Sequence, residues 1–142
     1  MKRLLLLSRA TLWASAAVAF PVTVENCGTP ITFDAAPKRA VIHDLNMAER
    51  AFALDLQPEI VGLTGITGWY KVGPEFKKEQ GSIPELAPKN PSVENIVAAE
   101  PDFFLAGRNY GRRPASGVTP DATAAHGRKT RVPHARVPRQ DN

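Results

Sequence analysis

Cysteine is almost missing from this sequence: Cys27 stands alone among 142 residues, so no disulfide can form within one chain. It follows Glu25-Asn26 rather than the small apolar residues of a lipoprotein cleavage site, and it reads as a small, half-buried hydrophobe in a strand. Histidine is scarce too. His43, His126 and His134 show no metal-ligand spacing, so direct metal binding has little support. No nucleophile, base and orienting residue form a recognisable set, and no glycine motif for cradling phosphate appears, which disfavours an enzyme. From Arg112 to Asn142 there is no Leu, Ile, Met, Phe, Trp, Tyr or Cys. Such a stretch cannot bury enough apolar surface to offset its ordering entropy, and disorder is the expectation.

What is present divides unevenly. Residues 1–107 carry 10 Lys and Arg against 12 Asp and Glu, whereas residues 108–142 carry 8 against 2. The net charge of +4 therefore belongs to the tail. At the other end, Lys2 and Arg3 precede an apolar run interrupted by Arg9, and Ala17-Val18-Ala19 offers a small-x-small cleavage site. This layout predicts a secretory signal peptide over residues 1–19. The run is too short and broken for a comfortable spanning helix, which needs about 20 apolar residues.

Between these ends the pattern alternates. Val22 to Asn26 has period two, Gly28-Thr29-Pro30 supplies a turn, and Ile31-Thr32-Phe33 alternates again, predicting a hairpin. Ala40-Val41-Ile42 and Ile60-Val61-Gly62-Leu63 are brief apolar runs of the kind that parallel strands buried on both faces show, and Phe103 to Ala106 is a third. Asn46 is the expected cap of a first helix with Met47, Ala51 and Leu54 on its apolar face, closed by Pro58. A polar helix over Glu75 to Gln80 follows, then an extended or looped stretch from Gly81 to Pro91. Ser92 should cap a helix over Val93 to Ala99 whose inner face is Val93, Ile96 and Val97. Strands alternating with helices predict an α/β fold with a parallel sheet and helices on both faces. Ligands of such sheets meet the loops at the carboxyl ends of the strands, here His43-Asp44, Thr64 to Tyr70 and Gly107 to Tyr110.

The order of these pieces resembles the periplasmic binding proteins of iron-siderophore and cobalamin ABC transporters. The residues that carry the resemblance are the hairpin, Ala36-Pro37-Lys38-Arg39-Ala40-Val41, the helix ending Ala53-Leu54-Asp55-Leu56, Ile60 to Leu63, and the block from Pro91-Ser92 through Val93-Glu94-Asn95-Ile96 to Pro101-Asp102. The match covers about residues 21–110, with a weaker echo from Gly117 to Thr130. It implies a three-layer Rossmann-like lobe with an amino-terminal hairpin over residues 20–110, a second lobe missing, and a basic tail over 111–142 that is disordered or frame-shifted. Asp55 stands where the family usually has glycine; aspartate tolerates the left-handed conformation. Arg128 to Pro133 places arginines where the family has an apolar strand.

The resemblance implies a solute-binding role in an importer, in the periplasm, without a cofactor of its own. The partners it implies are a ferric siderophore or similar chelate (cobalamin, haem) and an ABC permease in the inner membrane. Trp69 and Tyr70 are suited to stacking on a flat or aryl-bearing ligand, and Trp69 equally suits packing the loop onto the sheet. Arg108 and Tyr110 could meet an anionic chelate with a charged fork and a hydroxyl or belong to a solvated loop, while His43, beside Asp44, could donate a hydrogen bond or serve as a structural residue. Glu94 matches the position at which family members present a carboxylate to permease arginines, and equally suits a helix amino terminus. The competing reading is a binder of nucleic acid or anionic surfaces driven by the basic tail. That tail lacks interleaved aromatics, and export would remove the protein from nucleic acid, so nucleic acid is not the favoured partner.

Overall fold

The computed structural model describes residues 20–26, 29–107 and 118. Cys27, the signal segment, Arg108, Tyr110 and the tail from 119 lie outside the described residues.

The hairpin forms as the alternation predicts, with β1 (Val22–Asn26) antiparallel to β2 (Thr29–Phe33). Thr23 and Thr32 face each other, their hydroxyls 2.8 Å apart. Phe33 meets Phe103 edge to face at 5.9 Å, which docks the hairpin on the main sheet. That sheet has β3 (Ala40–His43), β4 (Ile60–Thr64), β5 (Glu85–Ala87) and β6 (Phe103–Ala106) in the order β5-β4-β3-β6. Every pairing in it is parallel.

Helices cover both faces. On one, Ala48, Ala51 and Phe52 of α1 (Leu45–Phe52) and Phe76 of α2 (Pro74–Gln80) pack with Ala40, Ile42, Ile60 and Leu63. On the other, Ile96 of α3 (Val93–Ala98) packs with Val41, Phe104, Ala106 and Val118. Val41 and Ile42 thus point to opposite layers, as the period of two in a strand requires. The three-layer α/β fold expected from the sequence is the fold observed.

Several local expectations need correction. Asp44, not Asn46, caps α1: its side chain accepts from the Asn46 N–H at 3.1 Å. The buried residues of α1 are Ala48, Ala51 and Phe52, and Leu54, beyond the helix end, is 69% exposed. The helix ends at Phe52, and Pro58 lies beyond it in a single 3-10 turn, Gln57–Glu59. Asp55 takes φ +56, the left-handed conformation that the family's usual glycine would supply. The stretch from Gly81 to Pro91 contains β5, only three residues long and flanked by Pro84 and Pro88.

Two clasps fix the sheet ends. Asp102 accepts the N–H groups of Lys38 and Arg39 at 2.8 and 2.9 Å, while Arg39 donates to the carbonyls of Glu100 and Ala99. The start of β3, the start of β6 and the end of α3 are thereby tied together. Ser92 and Asn95 form a capping box at the start of α3, each side chain serving the other's backbone N–H.

Candidate ligand crevice

Because the four strands run the same way, their carboxyl ends share one edge of the sheet. The chain winds outward from β3 through β4 to β5, then returns to place β6 on the other side of β3. The winding direction therefore reverses between β3 and β6, and in open α/β sheets a crevice forms outside the strand ends at such a reversal. His43 is the last residue of β3 and Asp44 follows it. Ala106 of β6 pairs with His43, which brings Gly107 to the same place.

The loop after β4 comes over this point. Gly65 has φ +73, and a Cβ there would lie 2.6 Å from His43 Cε1 and 3.1 Å from Trp69 Cζ3. Glycine is required both by the conformation and by the close approach. Beyond it the backbone is pinned by a residue that the sequence did not single out. Glu85 of β5 accepts from the N–H groups of Ile66 (3.0 Å) and Thr67 (2.9 Å) and from the Thr67 hydroxyl (2.6 Å). Gly65 and Gly68 donate to the carbonyls of Ala87 and Pro88, both at 2.9 Å. No pattern in the proline-rich stretch around Glu85 marks this role, which depends on β5 lying beside β4.

The loop delivers Trp69 and Tyr70 to the edge, 43% and 36% exposed. Trp69 meets the His43 ring edge to face at 5.9 Å, and the Tyr70 hydroxyl stands 3.5 Å from Asp44 Oδ2. Four of the residues predicted for ligand contact, His43, Asp44, Trp69 and Tyr70, are thus brought together; Arg108 and Tyr110 follow β6 outside the described residues. Asp44 has φ +84, a conformation that costs a non-glycine residue energy and that tends to collect at functional sites. His43 differs from the other three in being 1% exposed. Its Nδ1 shares a hydrogen bond of 2.9 Å with Thr64 Oγ1. Burial lowers its pKa, against the raising influences of Asp44 and Thr64, so the imidazole is held neutral near pH 7.

Glu94 is exposed in the first turn of α3, which begins after β5 and so at the same sheet edge. Among the described residues, no group of three or more His, Cys, Asp or Glu is placed to hold a metal ion. None of the described helices is long and apolar enough to cross a membrane.

Comparison with solved structures points to one class. The chain is similar to an ABC-type Fe3+-hydroxamate transport protein from Saccharomonospora viridis, at 26% identity and a TM-score of 0.55, over 80% of this chain and 39% of that one. It is also similar to the heme binding protein HmuT (18% identity, TM-score 0.58, 92% of this chain and 38% of that one). A third is the iron uptake ABC transporter substrate-binding protein PiaA from Streptococcus pneumoniae (20%, 0.56, 84% and 39%). No protein-family model matches the sequence, and no curated relative does. The chain spans about two fifths of the length of these structures. Over that part it has the fold of ABC-transporter substrate-binding proteins, as the sequence resemblance implied. Proteins of that class act by binding rather than by catalysis.

Proposed function

We propose that this chain supplies one wall of the ligand crevice in the solute-binding component of an ABC importer for ferric siderophores or a related metal chelate such as haem or cobalamin. The observation that carries this reading is the meeting of Trp69, Tyr70 and Asp44 at the point where the strand order reverses. Two exposed aromatics give a stacking surface for a flat or aryl-bearing ligand. In this reading the metal arrives within a preformed chelate that the aromatic surface recognises. Arg108 and Tyr110, which follow β6, are assigned to the same ligand for their charge and hydroxyl.

In this reading residues 20–110 form the amino-terminal lobe, residues 1–19 direct export to the periplasm, and Glu94 presents its carboxylate to arginines of an inner-membrane permease. The second wall comes from a further lobe, and closure of two lobes on ligand is the usual mode of such proteins. One wall alone should bind weakly. The experiment is a titration of the chain with a ferric trihydroxamate, haem and cyanocobalamin, followed by Trp69 fluorescence, with Tyr70→Ala and Asp44→Asn as comparisons. Quenching by one chelate that weakens several-fold in both variants supports the reading. Quenching that is equal for all three chelates and unaffected by the substitutions would sink it.

A further inference from the structure

Resting on that assignment of the crevice, a second property follows from the one buried side-chain atom among the described residues whose bonding is incomplete. His43 Nε2 is buried and has no hydrogen-bond partner among the described residues, although Nδ1 is satisfied by Thr64. Buried polar atoms are nearly always paired, and one left unpaired calls for a reason. The ring is held in place by neighbours: Trp69 against its edge, Phe104 tilted at 6.4 Å, and Gly65 close to Cε1.

The surrounding elements differ in what they offer a proton at Nε2. From β4 comes Thr64, neutral and already engaged with Nδ1. β6 brings Phe104 and Ala106, both apolar. Trp69 and Tyr70 come from the loop after β4, with the Tyr70 hydroxyl directed at Asp44. Glu85 is occupied by three bonds to that loop, and Lys89 packs along Gly68. Asp44 is the charged group whose field favours the imidazolium, and burial outweighs it. Its carboxylate already accepts from the Asn46 amide and side chain.

We propose that His43 and Trp69 form a proton-responsive latch on the crevice: once both ring nitrogens carry protons, the buried Nε2–H has no acceptor, so the protonated ring turns toward the Asp44 carboxylate and displaces the Trp69 indole packed against it. The same turn draws Asp44 away from the Tyr70 hydroxyl, so one proton resets both aromatic side chains of the stacking surface. Little backbone movement is needed, because Glu85, Ala87 and Pro88 hold the loop on either side of Ile66 and Thr67. Acid opens the latch and neutral pH closes it.

The test uses the full chain carrying Trp13→Phe, which leaves Trp69 as its one indole. Acrylamide quenching is measured from pH 7.5 downward through and below the ordinary imidazole range of about 6.5, with far-ultraviolet circular dichroism followed in parallel. The quenching constant should rise about twofold in a one-proton transition while the dichroism holds, and His43→Gln should abolish that transition. An unchanged constant, a transition that persists in His43→Gln, or loss of dichroism at the same pH would overturn the latch. Should His43→Gln fail to fold, Trp69→Ala serves instead. Removing the indole that packs against the imidazole should move the His43 ring resonances to a higher titration midpoint than in the parent, and an unmoved midpoint overturns the proposal. No ligand enters either measurement, so a failed latch leaves the crevice reading intact, and absence of ligand binding leaves the latch result standing.

Discussion

The carboxylate of Glu85 accepts the hydroxyl of Thr67 at 2.6 Å, together with two backbone N–H groups of the same loop. This contact links the outermost described strand of the sheet to the turn that carries Trp69 and Tyr70. The aromatic surface is therefore positioned by the sheet as well as by the loop's own Gly65 and its turn at Ile66.

Glu85→Gln keeps the shape of the side chain and removes the charge. Hydrogen bonds to a charged acceptor contribute about 1.5–3 kcal/mol, so a loss of about 1–2 kcal/mol in urea unfolding is expected. Amide exchange at Ile66 and Thr67 should accelerate more than exchange in α3. Uniform acceleration across the chain would contradict a local clasp.

Gly65→Ala places a methyl group 2.6 Å from His43 Cε1 on a backbone at φ +73. The left-handed conformation alone costs about 1–2 kcal/mol for an L-residue, and displacement of the imidazole adds to it. Stability should fall by about 2–4 kcal/mol on those two grounds, with a shift in Trp69 emission. Gly81→Ala is the control, since it has φ +54 and its Cβ would meet nothing closer than 4.0 Å, and it should lose only the conformational part.

The clasp at Asp102 predicts a different pattern. Asp102→Ala removes the acceptor for the Lys38 and Arg39 N–H groups and should cost about 1–3 kcal/mol. Arg39→Ala frees the carbonyls of Ala99 and Glu100 instead. Because both belong to one network, the double variant should lose less than the sum of the singles, as a double-mutant cycle would reveal.

Much of the fold was legible in the sequence, for a physical reason. The strands β3 and β4 are buried on both faces and β6 is buried on one and half-buried on the other, and an unbroken apolar run is the mark of that environment. Ser92 and the left-handed Asp55 were readable because caps and turns are settled by a few neighbouring residues. On α1 the sequence pattern overran the helix: Ala51 is buried and Met47 packs partly buried against the core, but the helix ends at Phe52, so Leu54 falls outside it and is exposed. Long-range partners left no local trace. Glu85 and Asp102 act across the sheet, 18 and 63 positions from residues they hold, Thr67 and Arg39. At the crevice, sequence placed Trp69, Tyr70, His43 and Asp44 at strand ends and the loops that follow, but only the packing reveals that the buried His43 ring meets the indole.

The buried imidazole has a consequence for stability. Its folded pKa lies below the unfolded value, so in that interval the unfolded chain binds the proton more readily. Stability contributed by His43 should be fully present above the unfolded value of about 6.5 and be lost as pH falls toward the folded pKa, with no further change from this group below it. Urea unfolding as a function of pH checks this: the slope below neutrality should flatten in His43→Gln by up to one proton. A slope identical to the parent would place the proton uptake elsewhere.

The central claim concerns a chelate at the edge where β3, β4 and β6 end. A ferric trihydroxamate is paramagnetic, so it broadens nearby amide resonances even when it binds weakly, and the gallium complex is the diamagnetic control. Titration of the isotopically labelled chain should broaden His43, Asp44, Gly65 to Tyr70 and Gly107, while the hairpin residues Val22 and Phe33 stay sharp. Broadening that centres on the opposite sheet edge, near Ala40, Ile60 and Phe103, or no broadening at millimolar chelate, would contradict the account.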